Sequence, residues 1–297
     1  MRGYDSEART HRPRPRRKLK LFAPVFALLL MGAAFCGLRW YEYTVTFHPE
    51  RYDLNRPWHV PKGAEDVWFM NKDNVQLHGW FISSSIKPAV AMVVYFHGNG
   101  GNISNGGWLG ESLSRRGFDI LLFDYRGYGR SVGKISDERD IYADADAAYD
   151  YVVNERAACP DRIVLYGQSL GTAAAVNVGS RRQCGAVILE SGLSSASNLA
   201  ATMLPWLPRW LHRVGKNRFE TARKLAGVHC PVLITHGDPD NIIPAENARE
   251  LYAAANEPKR LILVPGADHN VSGSGGEKYL DEISTFIQEG LAKRNAT

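Results

Sequence analysis

A serine hydroxyl becomes a nucleophile when a histidine takes its proton and a carboxylate orients that histidine. This 297-residue chain offers such a serine in Ile163-Val164-Leu165-Tyr166-Gly167-Gln168-Ser169-Leu170-Gly171-Thr172-Ala173-Ala174-Ala175-Val176, which reads as an apolar strand, a Gly-x-Ser-x-Gly turn and a small-residue helix. That order makes a tight strand-to-helix turn holding the Ser169 hydroxyl clear of a sheet. Gly167 and Gly171 suit it, because side chains there would collide with the neighbouring strand and helix. The helix N-terminus behind the serine favours developing negative charge. The five-residue motif is weak alone, and Gly129-Arg130-Ser131-Val132-Gly133 matches it too. Ser131 is followed by Lys134-Ile135-Ser136-Asp137 with no apolar helix, so it reads as a loop residue and Ser169 as the nucleophile.

Behind a strand–turn–helix serine of this kind, the acid and then the histidine follow in chain order. Of nine histidines only His269 lies beyond the last candidate acid, in the loop Val264-Pro265-Gly266-Ala267-Asp268-His269-Asn270. The strand before it ends in His236-Gly237-Asp238-Pro239-Asp240-Asn241-Ile242-Ile243-Pro244 and offers two acids. Asp238 suits a turn, through side chain to backbone hydrogen bonds. Asp240 leads into the apolar stretch that begins the next helix. An oxyanion hole needs two N–H donors. Leu170, after the serine, supplies one, and Asn99 in His97-Gly98-Asn99-Gly100-Gly101-Asn102 is the expected second. That glycine-rich loop lacks the Lys and Ser/Thr of a P-loop. His97 precedes the serine and is expected to stiffen the loop rather than to act as base. No His/Cys spacing resembles a ligand set, so neither metal nor cofactor is expected.

The elements that must position these residues follow from periodicity. Val67–Met70 and Val75–Ile82, joined by a turn at Lys72-Asp73-Asn74, predict an antiparallel pair. Beyond them, near-continuous apolar strands at 90–96, 118–123, 163–166, 186–189, 232–235 and 260–264 alternate with helices at 103–115, 138–156, 245–255 and 277–292, besides the helix behind Ser169. This predicts an α/β domain with a mostly parallel sheet covered on both faces, spanning 62–294. The alternation breaks between about 191 and 227, where Met203-Leu204-Pro205-Trp206-Leu207-Pro208-Arg209-Trp210-Leu211 reads as a short cap. Trp206, Leu207 and Trp210 are its candidate substrate-binding residues, since pockets are mostly apolar surface.

Charge and cysteine usage bear on the surroundings. Residues 1–20 carry eight Lys/Arg against two acids, a net +6, while the whole chain is +5, so the remaining 277 residues sum to −1. The basicity belongs to a tail, which argues against nucleic acid as a partner. The 18 uncharged residues from Leu21 to Leu38 would span about 27 Å as a helix, enough to cross a bilayer core. Basic residues before and few after predict a signal anchor with the N-terminus cytoplasmic and the body periplasmic or extracellular, followed by a linker at 39–61. The alternatives are a cleaved signal and a buried core helix, and the segment lacks the polar face of the latter. Cys159, Cys184 and Cys230 each precede a core strand, which allows either three buried thiols or one disulfide, with Cys159–Cys184 the expected pair.

His97–Asn102, Asp124-Tyr125-Arg126-Gly127-Tyr128-Gly129-Arg130-Ser131, Gly167–Gly171, His236-Gly237 with Asp240 and Pro244, and Gly266–His269 together resemble the α/β-hydrolases. The specific likeness is to the membrane-anchored single-span α/β-hydrolase-domain group related to the serine aminopeptidase-like hydrolases. The matches run in family order through residues 67–290. The resemblance implies an α/β-hydrolase fold with Ser169, Asp240 and His269 as the triad and Asn99 and Leu170 as the oxyanion hole. It implies hydrolysis of a small acyl ester, thioester or lipid-like substrate through an acyl-enzyme. Peptidase, aminopeptidase-like or lipase activity, and a non-catalytic scaffold, are the alternatives. The family's second elbow residue is often histidine, where this chain has Gln168.

Overall fold

The computed structural model describes residues 19–53, 55, 58, 60–208 and 210–294. The apolar runs become strands β1 (Ala64–Met70), β2 (Gln76–Ile82), β3 (Ala91–Phe96), β4 (Phe118–Phe123), β5 (Ile163–Gln168), β6 (Ala186–Glu190), β7 (Val232–Gly237) and β8 (Lys259–Val264). They form one sheet in the order β8-β7-β6-β5-β3-β4-β2-β1. The β1/β2 and β2/β4 pairs are antiparallel, and every other neighbouring pair is parallel.

In chain order, helix α1 (Leu19–Thr46) precedes the strands, α2 (Gly107–Arg115), α3 (Glu138–Asn154), α4 (Gly171–Gly179), α5 (Ala196–Met203), α6 (Thr221–Leu225) and α7 (Glu246–Ala254) connect them, and α8 (Val271–Arg294) follows. Strand side chains alternate between faces, and β3 shows the consequence. Its Met92, Val94 and Phe96 pack in one core with Ile141 and Ala145 of α3 and Ala173 of α4. Its Val93 and Tyr95 pack in a second core with Leu113 of α2 and Ile283 of α8. Each large side chain so buried contributes about 1.5–3 kcal/mol, so the sheet is held from both faces.

Two expected helix extents need correction. Residues 103–115 are not one helix, since a 3-10 turn at Ile103–Gly106 precedes α2. The expected helix at 277–292 belongs to a longer α8, interrupted at Gly276 (φ 57°, ψ −148°). The linker expected from Arg39 is partly helix. No Gly or Pro lies between Leu38 and Thr46, Arg39 pairs with Glu42 one turn on at 2.6 Å, and α1 runs to Thr46. Among the described residues, those up to Glu42 form one compact unit and those from Tyr43 another. Within the second, Phe47 is buried against Phe219, and His48-Pro49 pairs in parallel with Gly100-Gly101. The helix Pro24–Thr46 is long and apolar enough to cross a membrane, with Phe26, Leu28, Leu29 and Met31 exposed on it. Of the basic tail, residues 1–18 lie outside the described residues.

The cysteine pairing is also corrected. Cys159 is exposed, while Cys184 and Cys230 are buried beside each other with Sγ atoms 3.1 Å apart. Register is the cause. Val187 lies opposite Val232 across β6 and β7, so positions three and two residues earlier meet. Across β5 and β6 Val164 lies opposite Ala186, which leaves Cys159 three residues out of step with Cys184.

The Asp124–Ser131 segment is an anchor for the sheet. Ser131 Oγ donates to Asp124 O (2.6 Å) and accepts from His78 N (2.8 Å), so the second Gly-x-Ser-x-Gly serine is buried and occupied. Arg126 spans three carboxylates, Asp144 (2.7 Å), Asp73 (2.8 Å) and Asp140 (2.9 Å), and Asp144 is wholly buried. Removing one partner of a buried pair leaves an uncompensated charge, at a cost of about 3–5 kcal/mol. Arg126→Ala is therefore expected to destabilise the fold by that amount, read as a lower urea midpoint at unchanged m-value.

Candidate active site

The site is built from loops at the carboxyl ends of β3, β5, β6, β7 and β8, the edge on which a parallel sheet gathers its loops. β5 runs directly into the turn carrying Ser169, whose φ is +52°. A non-glycine residue at positive φ is strained, and neighbours must hold it. Here Ser169 N donates to Glu190 O at 2.8 Å, and Thr172 N and Oγ1 donate to Ser169 O at 3.1 and 2.6 Å. The flanking glycines are required by space. A Cβ on Gly171 would lie 1.9 Å from Phe96 O, and one on Gly167 would lie 2.5 Å from Gly171 O.

The structure brings Ser169, His269 and Asp240 together. Ser169 Oγ lies 2.9 Å from His269 Nε2, and His269 Nδ1 lies 2.7 Å from Asp240 Oδ2. The carboxylate only accepts, so Nδ1 carries the proton and Nε2 is left to accept from the serine. Asp240 is buried, and its Oδ1 accepts from Ile242 N (2.8 Å) and Ile243 N (2.9 Å). Its Oδ2 also lies 3.1 Å from His236 Nε2, which donates to Ile243 O at 2.7 Å. Burial pushes the Asp240 pKa up, but hydrogen bonds from His236, His269 and the Ile243 N–H outweigh it and hold the group well below the usual carboxylate range. Asp238 instead accepts from Gly266 N at 2.7 Å, tying its turn to the loop that carries His269.

The loop after β3 lies against the serine, since a side chain at Gly98 would meet Ser169 Cβ at 3.3 Å. His97 Nδ1 donates to Gly98 O at 2.7 Å, which fixes the peptide whose N–H belongs to Asn99. Burial lowers the His97 pKa against the pull of Asp124, so the ring is neutral. Asn99 is clamped from outside. Its Oδ1 accepts from His48 N (3.0 Å), its Nδ2 donates to His48 Nδ1 (2.8 Å), and its carbonyl accepts from Tyr128 OH (2.8 Å). Leu170, buried, heads α4. The residues expected to bind substrate lie on the stretch after α5. Trp206 and Trp210 are 76% and 68% exposed and Leu207 is half-buried. The Trp-rich stretch follows α5 as turns and one 3-10 turn, with prolines at 205 and 208 disfavouring a continued helix.

Sequence reasoning missed Glu190. This wholly buried side chain ends β6 and links both sides of the Ser–His pair. Its Oε1 accepts from Ser272 N (2.9 Å), Ser272 Oγ (3.0 Å) and Gln168 Nε2 (3.1 Å), and its Oε2 from Tyr166 OH and Tyr279 OH. Gln168 uses its other end to accept from Tyr95 OH at 2.6 Å, and its Nε2 reaches Asn270 Oδ1 at 3.3 Å. The amide thus joins the residue before the serine to the residue after the histidine. Nothing local marks Glu190 in the sequence except an acid ending an apolar strand, Ala186-Val187-Ile188-Leu189. His236 was visible in the resemblance as part of His236-Gly237, without a role.

A family model described as Serine aminopeptidase, S33 matches residues 87–224, which include Asn99, Ser169 and Leu170 and stop before Asp240 and His269. The uncharacterised protein YfhR of Escherichia coli (strain K12) is 34% identical over 285 residues, covering 93% of this chain and 95% of its own length. YfhR of Salmonella typhi is 38% identical over 253 residues, covering 79% and 85%. Among solved structures, the Pyrococcus furiosus esterase Pf2001 has a TM-score of 0.63 at 20% identity, covering 83% of this chain and 98% of its own. The esterase domain of a Rhodothermus marinus protein has a TM-score of 0.60 at 21% identity, covering 77% and 99%. At these identities the two structures speak for the fold alone.

The depressed Asp240 pKa sets the sign of a pH effect. An unfolded aspartate titrates near about 3.9. The stability contributed by ionised Asp240 is thus complete above that value and lost as pH falls toward the lower native one. The difference in unfolding free energy between wild type and Asp240→Asn is expected to shrink on acidification from about pH 5 to 3. A difference that stays constant or grows over that range would contradict the assignment of Asp240 as a hydrogen-bonded anion.

Proposed function

The chain belongs to the α/β-hydrolases, in the serine aminopeptidase-like group shared with the YfhR proteins, and on that premise we propose that it is a serine hydrolase of carboxylic esters or acyl thioesters. One observation carries the reading, the relay from Ser169 Oγ through His269 (2.9 Å) to buried Asp240 (2.7 Å). Ser169 attacks the acyl carbon as His269 Nε2 takes its proton, and Asp240 stabilises the imidazolium that forms. The N–H groups of Leu170 and Asn99 hold the oxyanion, the second aimed by the His97 bond to Gly98 O. His269 then returns the proton to the leaving alcohol or thiol. A water deprotonated by the same nitrogen releases the acyl group and restores the serine.

The apolar helix supports a membrane tether as the setting of this activity. In this reading the helix is a retained signal anchor, the basic N-terminal tail stays in the cytoplasm and the body faces the periplasm or the exterior. The exposed Trp206 and Trp210 suit a lipid-like substrate met at that surface. Because the matching family is described as a peptidase family, an aminoacyl anilide belongs in the same assay as the esters.

The test is turnover of p-nitrophenyl esters of graded acyl length by the full chain in detergent, beside Ser169→Ala and His269→Ala. Each variant is expected to lose at least about 10⁴-fold in kcat/KM. Wild type should carry a fluorophosphonate label that Ser169→Ala lacks. Label or turnover that survives Ser169→Ala would sink the assignment.

A further inference from the structure

Cys184 and Cys230 stand just ahead of β6 and β7, neighbouring parallel strands, with their Sγ atoms 3.1 Å apart. Both are buried. Carbon atoms in a packed core approach to about 3.5–4.0 Å, and sulfur is the larger atom, so this separation is tighter than two unbonded thiols adopt by packing alone. It is about 1 Å longer than a bonded pair. We propose that Cys184 and Cys230 form a disulfide bridge by exchange with a disulfide-bonded oxidant.

The bridge closes a loop over residues 185–229, the stretch that carries Glu190, α5, the tryptophan segment and α6. It therefore staples the base of the excursion between β6 and β7, on the sheet edge opposite the one where Glu190 meets Ser169 N. A cavity of about 300 Å³ is lined by both cysteines with Arg181, Arg182 and His229, and it gives a small disulfide a route to the pair. The attacking species is the thiolate. One cysteine thiolate attacks a sulfur of the oxidant, breaking its S–S bond, forming a mixed disulfide and expelling one thiolate. The second cysteine thiolate then attacks the protein sulfur of that mixed disulfide, forming the Cys184–Cys230 bond and expelling the other thiolate. Two electrons pass from the cysteines to the oxidant, and the two protons the cysteines lose are taken up by the expelled thiolates. Cys36 and Cys159 are exposed and lie elsewhere in the sequence, on α1 and ahead of β5. The inference does not rest on the catalytic reading of Ser169.

The full chain is purified in detergent, reduced, freed of reductant and incubated with oxidised glutathione. It is then denatured, alkylated and mapped by peptide mass. The expected product is a peptide joining Cys184 to Cys230, each sulfur having lost its hydrogen. The oxidised protein should melt about 5–10 °C above the reduced one. That gap should vanish in Cys184→Ser and Cys230→Ser. Recovery of Cys184 and Cys230 as separate alkylated or glutathione-capped peptides would overturn the proposal, as would a link from either of them to Cys159. The mapping reads the wild-type chain, so it decides the matter even if a serine variant fails to fold.

Discussion

The contact on which the site depends is the one between α4 and the end of β3, where Gly171 passes so near Phe96 O that no side chain fits. This closeness forces the chain to turn from β5 into α4 within a few residues, and Ser169 takes the strained φ of +52° at the apex. Such a conformation costs on the order of 1–3 kcal/mol and survives only when its surroundings over-determine it. They do so here. Every residue of α4 is buried, Glu190 O holds Ser169 N, and Thr172 holds Ser169 O. The strain at one residue is offset by burial of the helix that follows it.

Around this turn the structure handles buried carboxyl groups in different ways. Asp144 is matched by a cation, Arg126. Asp240 is surrounded by imidazole and backbone N–H donors and stays anionic. Glu190 is served by tyrosine, serine and glutamine donors, with no cation among its hydrogen-bond partners in the described residues. Partly satisfied buried networks are costly and fully satisfied ones rigidify. The donors on Glu190 come from β5, from the residue before Ser169 and from the start of α8, so it ties together the elements that hold the serine and the histidine. The segment that follows α1 adds a brace from another direction, since His48 holds both ends of the Asn99 amide. The proposed oxyanion loop is thus fixed by residues on either side, His97 within it and His48 some fifty positions earlier.

Much of this was legible in the chain and some was not. The strands were readable because a sheet buried on both faces demands unbroken apolar runs, such as Val93–Phe96 and Ile163–Tyr166. Ser169 was separable from Ser131 because only the former is followed by small apolar residues able to pack a helix against the sheet. Asp238 and Asp240 were harder, lying two residues apart in one loop, and the structure gives the first to Gly266 N and the second to His269 Nδ1. The stretch from Arg39 read as a linker on its aromatics and prolines, and its first residues continue the helix to Thr46, where a charged pair one turn apart supports it. Trp206 and Trp210 read as a pocket wall from composition, and in the structure both are exposed.

By itself the sequence determined the order and type of the elements, the serine at the strand-to-helix turn and the histidine that must follow it. These are properties of local period and of chain order, and both can be counted along one dimension. The tertiary structure alone decided which distant residues meet. The register of β6 against β7 brings Cys184 to Cys230 rather than to Cys159. The end of β6 sets Glu190 beneath Ser169, and the pairing of His48 with Gly100 sets its ring beside Asn99. Register and packing fix a contact only after every strand has found its neighbour, and a shift of one residue would exchange one set of partners for another. That information is spread over the whole sheet, so no short stretch of sequence holds it.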